Sequence, residues 1–150
     1  MSNDNINHPA HYAGYNVNIE CIDITRHLPF DLGNAVKYIW RAGRKGDSKI
    51  KEAEDLRKAI WYLSDHLHNP KYNNDYIKHA EPMILLLVRQ LKHDKVTPPF
   101  IAEALEMILG GCLYYDKLIL LLLDKVKVIE NSPEYKAEIL LDKMTGEDKR

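Results

Sequence analysis

Lys37, Arg41 and Arg44 (or Lys45) stand one helical turn apart. On a helix that spacing aims several donors at one point, which is how a polyphosphate is gripped: arginine as a bidentate fork, lysine as a point charge. The Gly43–Gly46 turn would add backbone N–H groups to the same place. The row fits a solvated helix face equally well. A second pattern is acidic. Glu20 and Asp23 are three residues apart, and Glu52 and Asp55 repeat the spacing. Two carboxylate pairs from two helices can hold Mg²⁺ with its waters, although Glu52 also suits an early helix position. The third is the arm His8-Pro9-Ala10-His11-Tyr12. Its rings could stack on a base, donate to a phosphate, or move a proton; they could also form a plain surface turn.

Composition narrows these options. Of 150 residues 29% are charged, and the formal net charge is -1, so no global field draws duplex nucleic acid. From Asn34 to Lys58, however, eight basic residues face four acids, a local balance of +4 suited to a small anion. Cys21 and Cys112 are isolated, so neither a disulfide framework nor a zinc site is expected. The polar stretch Met1–His8 lacks the apolar core of a signal peptide, and Met83–Val88 and Leu118–Leu123 are far short of a bilayer span. A cytoplasmic protein with no membrane partner is expected. Gly43-Arg44-Lys45-Gly46-Asp47-Ser48 lacks the order of a P-loop. No Gly-x-Ser-x-Gly, Cys-x-x-Cys or dinucleotide fingerprint occurs either.

The elements that must position these groups read as helices. Residues 1–17 form an extended arm, because the His-Pro and Gly-Tyr steps oppose a helix. Ile19–Leu28 is a short helix, or a strand-like entry, closed by Pro29. Leu32, Ala35, Val36, Ile39 and Trp40 make one apolar stripe. Gly43 and Gly46 end that helix, and Asp47 or Ser48 caps the next, whose stripe is Ile50, Ala53, Leu56, Ile60, Leu63 and Leu67. These two helices predict an antiparallel hairpin over about residues 31–68, stopped by Asn69-Pro70. Beyond it, Pro82 suits the first turn of a helix running to about Lys92. Thr97 and Ser132 suit N-caps followed by proline, giving helices near 98–109 and 133–144, and Gly110-Gly111 separates the former from a helix near 112–130. A charged tail follows. The fold class is therefore all-α: a hairpin with an N-terminal arm plus a C-terminal apolar helical bundle. It is read as one compact domain, with residues 1–70 handling chemistry and 71–150 serving packing or assembly. Segments 83–91 and 118–123 are apolar nearly all round, so they are either central to a core or shared with another copy in a homo-oligomer.

Four blocks are also familiar when taken in order. They are Asn7-His8-Pro9-Ala10-His11-Tyr12; Ile19-Glu20-Cys21-Ile22-Asp23; Asn34 to Gly46, with Lys37, Tyr38, Arg41, Gly43 and Lys45; and Glu54-Asp55-Leu56-Arg57-Lys58-Ala59-Ile60-Trp61-Tyr62-Leu63. With their spacing intact across residues 7–67, they resemble the SaV-like family of small bacteriophage proteins, one branch of which is a nucleotide kinase without a P-loop. The resemblance implies a phage protein, acting in the cytoplasm of an infected bacterium, that phosphorylates deoxynucleoside monophosphates with ATP. Carried across, it implies Lys37, Arg41, Asp55 and Lys58 as catalytic residues. His8, His11, Tyr12, Asn34, Tyr38 and Lys45 would contact the nucleotide, joined by Arg44 from the basic row, and Glu20 and Asp23 would meet any Mg²⁺. Residues 70–150 have no counterpart in it.

Two further readings stay open beside the kinase. The Glu-x-x-Asp pairs and the helix ending Trp61-Tyr62-Leu63 are loosely similar to all-α nucleotide pyrophosphatases, in which Mg²⁺ would activate water. Alternatively, a helical oligomer with a basic pocket binds a nucleotide, or inhibits a host protein, without turnover.

Overall fold

The computed structural model describes residues 6–13, 18–69 and 75–146, and only the backbone of 75–81, 112 and 113. The described residues form a 3-10 turn (Ala10–Tyr12) and seven α-helices: α1 (Cys21–Thr25), α2 (Phe30–Arg41), α3 (Lys49–His68), α4 (Asp75–His93), α5 (Pro99–Leu109), α6 (Cys112–Glu130) and α7 (Pro133–Thr145). The protein is all-helical, and no strand occurs among the described residues. None of these helices is long and apolar enough to cross a membrane.

The hairpin forms as its pattern predicts. Leu32, Ala35, Val36, Ile39 and Trp40 are all buried, and α2 packs on α3 along that stripe. Gly43 (φ 77°) and Gly46 (φ 80°) take the left-handed conformation between the helices, and Ser48 caps α3 by accepting from Lys51 N at 3.2 Å. Two side-chain contacts fix the direction. Arg41, at the end of α2, meets Asp55 near the start of α3, whereas Asp31, at the start of α2, meets His66 near the end of α3. Only antiparallel helices allow both.

α3 also packs on α6, α5 bridges α2, α4 and α6, and α7 touches α3 and α6. One core therefore spans both halves, running from Ile24, Trp40 and Leu63 to Leu91, Ile108, Leu118 and Leu122. Each such side chain contributes about 1.5–3 kcal/mol through burial. The second half is not wholly inside, because Met83, Leu86, Leu120, Val128, Leu140, Leu141 and Met144 remain exposed.

Three expectations are corrected. Residues 10–12 are not extended: Tyr12 N donates to Pro9 O (2.9 Å) and Ala13 N to Ala10 O (3.3 Å), closing a turn. Pro82 lies inside α4, which begins seven residues earlier; proline forfeits one backbone bond there without ending the helix. Thr97 does not cap α5. Asp94 takes both its N–H (3.0 Å) and its hydroxyl (2.6 Å), leaving Pro98 at the cap position. Ser132 does cap α7, accepting from Tyr135 N at 3.2 Å. The expected stop at Pro70 and the residues after Gly146 lie outside the described residues.

Candidate functional site

The arm is tied to the hairpin through Ala13 and Tyr12, and to the start of α1 through His8. Trp40 Nε1 and an Arg44 N–H both donate to Ala13 O, at 3.2 and 3.0 Å. Arg41 donates to the Tyr12 hydroxyl at 3.3 Å, and His8 Nδ1 to Glu20 at 3.0 Å. His11 sits between these ties, with its ring 4.2 Å from that of Tyr12. Burial, and then the charges of Lys45, Arg41 and Arg44, push the His11 imidazole below its ordinary pKa of 6.5, so it favours the neutral form.

Below the arm lies a bidentate ion pair. Arg41 Nε reaches Asp55 Oδ2 at 3.0 Å and its terminal nitrogen reaches Oδ1 at 2.5 Å, with side chains only 14% and 8% exposed. Hydrogen bonding to Asp55 raises the guanidinium pKa further, against the effect of burial. The two groups expected to act on a substrate are thus committed to each other, a geometry that removal of either partner breaks at high cost.

Cationic charge gathers around Tyr38. Lys37 Nζ lies 4.4 Å, Arg41 Cζ 4.9 Å and Lys58 Nζ 5.5 Å from the centre of the Tyr38 ring. Tyr38 stacks on Tyr62, with centroids 5.9 Å apart and planes 15° apart; Phe30 and Trp61 meet Tyr62 edge-on at 6.2 and 5.0 Å. Phe30 and Trp61 are 76% and 62% exposed, which is unusual for rings of this size. The face therefore offers π surface beside ammonium groups. Lys58 is partly engaged by Glu54 at 2.8 Å, a bond that raises its pKa and lowers that of Glu54. Phe30, Trp61 and Tyr62 are absent from the residues expected above. The available signal was the spacing Phe30–Asn34–Tyr38, one ridge of α2, against Lys58–Tyr62 on α3. Asn34 does not reach into the site; its amide donates to Phe30 O at 2.8 Å within α2.

The acidic pairs do not gather. Glu20 is the N-cap of α1 and Asp23 its third residue; Glu20 accepts from Asp23 N, and Glu20 N donates to Asp23 at 2.8 Å. The i, i+3 spacing read as a metal motif is a capping box. Glu52 binds Lys49 at 2.7 Å, and Asp55 binds Arg41. No group of three or more potential metal ligands forms among the described residues.

The glycine turn leads into a region that is already occupied. Just past the Gly43–Gly46 turn, whose N–H groups the sequence offers to a phosphate, the donors at the start of α3 are taken by a carboxylate from the other half. Glu138 of α7 accepts from Lys49 N (2.6 Å), Ser48 Oγ (2.7 Å) and Ile50 N (3.4 Å). Burial raises its pKa, but these bonds and the Lys49 charge outweigh that effect and hold it below its ordinary 4.5. Beside the turn lies a cleft of about 890 Å³, which Gly43, Arg44 and Lys49 help to line. The predicted basic row thus divides: Arg44 borders the cleft and pins the arm, Lys37 and Arg41 join Lys58 of α3 around Tyr38, and Lys45 is exposed near His11.

Residues 6–64 match a family described as a protein of unknown function (DUF3310). No curated protein and no solved structure matches the chain. The matched stretch holds the arm, α1, α2 and most of α3, and with them every side chain around Tyr38.

Proposed function

We propose that the Tyr38 face binds a nucleotide, and that the chain is a kinase without a P-loop that passes phosphate from ATP to a deoxynucleoside monophosphate. One observation carries this reading: Lys37, Arg41 and Lys58, from two helices, all lie within 5.5 Å of one tyrosine ring that is itself part of an aromatic stack. Stacking rings suit a nucleobase, and converging cations suit its phosphates. Phosphoryl transfer asks chiefly for positioning and positive charge rather than covalent chemistry from the protein. Lys37 and Lys58 would contact phosphate oxygens. The Arg41–Asp55 pair would hold Tyr38 and Tyr12 in place, and neutral His11 would be available to accept a proton from the attacking phosphate. Mg²⁺ would enter with ATP. The resemblance of residues 7–67 to the phage family supports the same reading, and with it a setting in an infected bacterium.

A binding role without turnover is the second reading. It is favoured by the closed bidentate contact between Arg41 and Asp55, which leaves fewer groups for chemistry. The exposed Leu120, Val128, Leu140, Leu141 and Met144 support assembly into a homo-oligomer under either reading. Incubation of the purified protein with ATP, Mg²⁺ and each deoxynucleoside monophosphate separates the two. Diphosphate formation supports the kinase. Binding with no product supports the second reading, and pyrophosphate released from a triphosphate alone would replace both with a hydrolase.

A further inference from the structure

The cleft beside the glycine turn lies away from the Lys37, Tyr38 and Lys58 side chains, and it has a different character. Its volume of about 890 Å³ falls within the roughly 300–1,000 Å³ typical of small-molecule sites. Ile39, Leu56, Phe100, Ile101, Leu121 and Val128 give it apolar walls from four helices. Its charged lining is balanced: Arg44, Lys49 and Lys125 against Glu52, Asp124 and Glu134. Lys49 is neutralised by Glu52 at 2.7 Å. Lys125 has no carboxylate partner among the described residues; its ammonium lies 4.0 Å over the Phe100 ring.

We propose that this cleft binds an amphipathic anion, an apolar body carrying a single anionic head. The balanced lining disfavours a polyphosphate. One head group, however, can pair with Lys125 while the body covers Phe100, Leu121 and Val128, which removes apolar surface from water. Ser132 and Glu134 complete one wall. Ser132 precedes α7 as its N-cap and Glu134 lies in its first turn, and Glu138 of the same helix holds it to the start of α3.

The test is calorimetric titration of the full chain with decanoate, with decyltrimethylammonium as the same body of opposite charge, and with ATP as competitor. Saturable binding of one decanoate per chain is expected, with little or none of the cation. Lys125→Ala should weaken it by about tenfold or more, and Val128→Asp should do so through the other wall. Both positions are at the rim, and Val128 is 72% exposed, so helicity and melting temperature should hold. Several results would overturn the site: no saturable decanoate binding, equal affinity for the cation, displacement by ATP, or affinity unchanged in both variants. The last would place decanoate on the exposed leucines of α7 instead. Apart from displacement by ATP, these results leave the Tyr38 face untouched, and the kinase assay tests that face by itself.

Discussion

The Tyr38 face and the region of the glycine turn both carry cations, yet they stand in opposite states. Just past the turn, Glu138 already occupies the start of α3, so the donors of Ser48, Lys49 and Ile50 are satisfied from within the chain. At Tyr38, Lys37 has no carboxylate partner among the described residues and rests on a ring, while two further rings stay exposed. The difference shows that counting charge does not locate a ligand site. What matters is which charges the fold has already paired, since a paired donor must lose one partner to gain another.

The largest expected effect lies between the two regions. Asp55→Ala leaves a nearly buried guanidinium without its partner and should cost about 3–5 kcal/mol of stability in urea melts. The double replacement Arg41→Met with Asp55→Leu should recover most of that loss. Recovery of stability without recovery of nucleotide binding would show that the pair positions the face as well as holding the hairpin.

Next in size is the closed region. Glu138→Gln should lower stability by about 1–2 kcal/mol, because it removes a charged acceptor from the start of α3. The wild-type contribution has a defined pH window. Glu138 has a depressed folded pKa, so its stabilisation is present above the ordinary 4.5 and disappears as pH falls through the folded value. Melting temperatures between pH 6 and 3 should therefore fall less steeply for the variant. Equal slopes would mean that the carboxylate is not held as described.

The open region should respond in binding and not in folding. Lys37→Ala should weaken ATP or deoxynucleotide affinity about tenfold at unchanged melting temperature. Trp40 is 1% exposed and Trp61 is 62% exposed, so quenching of tryptophan fluorescence by nucleotide should vanish in Trp61→Phe. The smallest effect concerns Lys45. Lys45→Ala should raise the His11 pKa slightly toward 6.5, because one of its depressing charges is removed. An NMR titration of the histidine ring reads this directly.

What could be read ahead of the fold was whatever short-range chemistry decides. The apolar stripe of α2, the glycine turn and the serine caps at Ser48 and Ser132 involve neighbours within a few residues, and they form as expected. Thr97 and Pro82 show how local rules lose: Asp94 out-competes the helix for the threonine, and tertiary packing carries α4 through its proline. The acidic pairs failed for another reason. Three-residue spacing serves a metal and a capping box alike, and only the backbone geometry at Glu20 separates them. Contacts such as Ser48 with Glu138, or Asp31 with His66, join residues far apart in the chain, and neither helix pattern marks them. The split of the basic row follows from the same kind of information, because it depends on which of its members the arm and α7 engage.

A nitrogen-15 correlation spectrum recorded during ATP titration tests the nucleotide assignment most directly. Binding at the stacked tyrosines predicts shifts that grow around Lys37, Tyr38, Lys58, Trp61 and Tyr62 while the Lys49 and Ile50 amides stay in place. Shifts confined to Gly43–Ile50, or none at all, would contradict it.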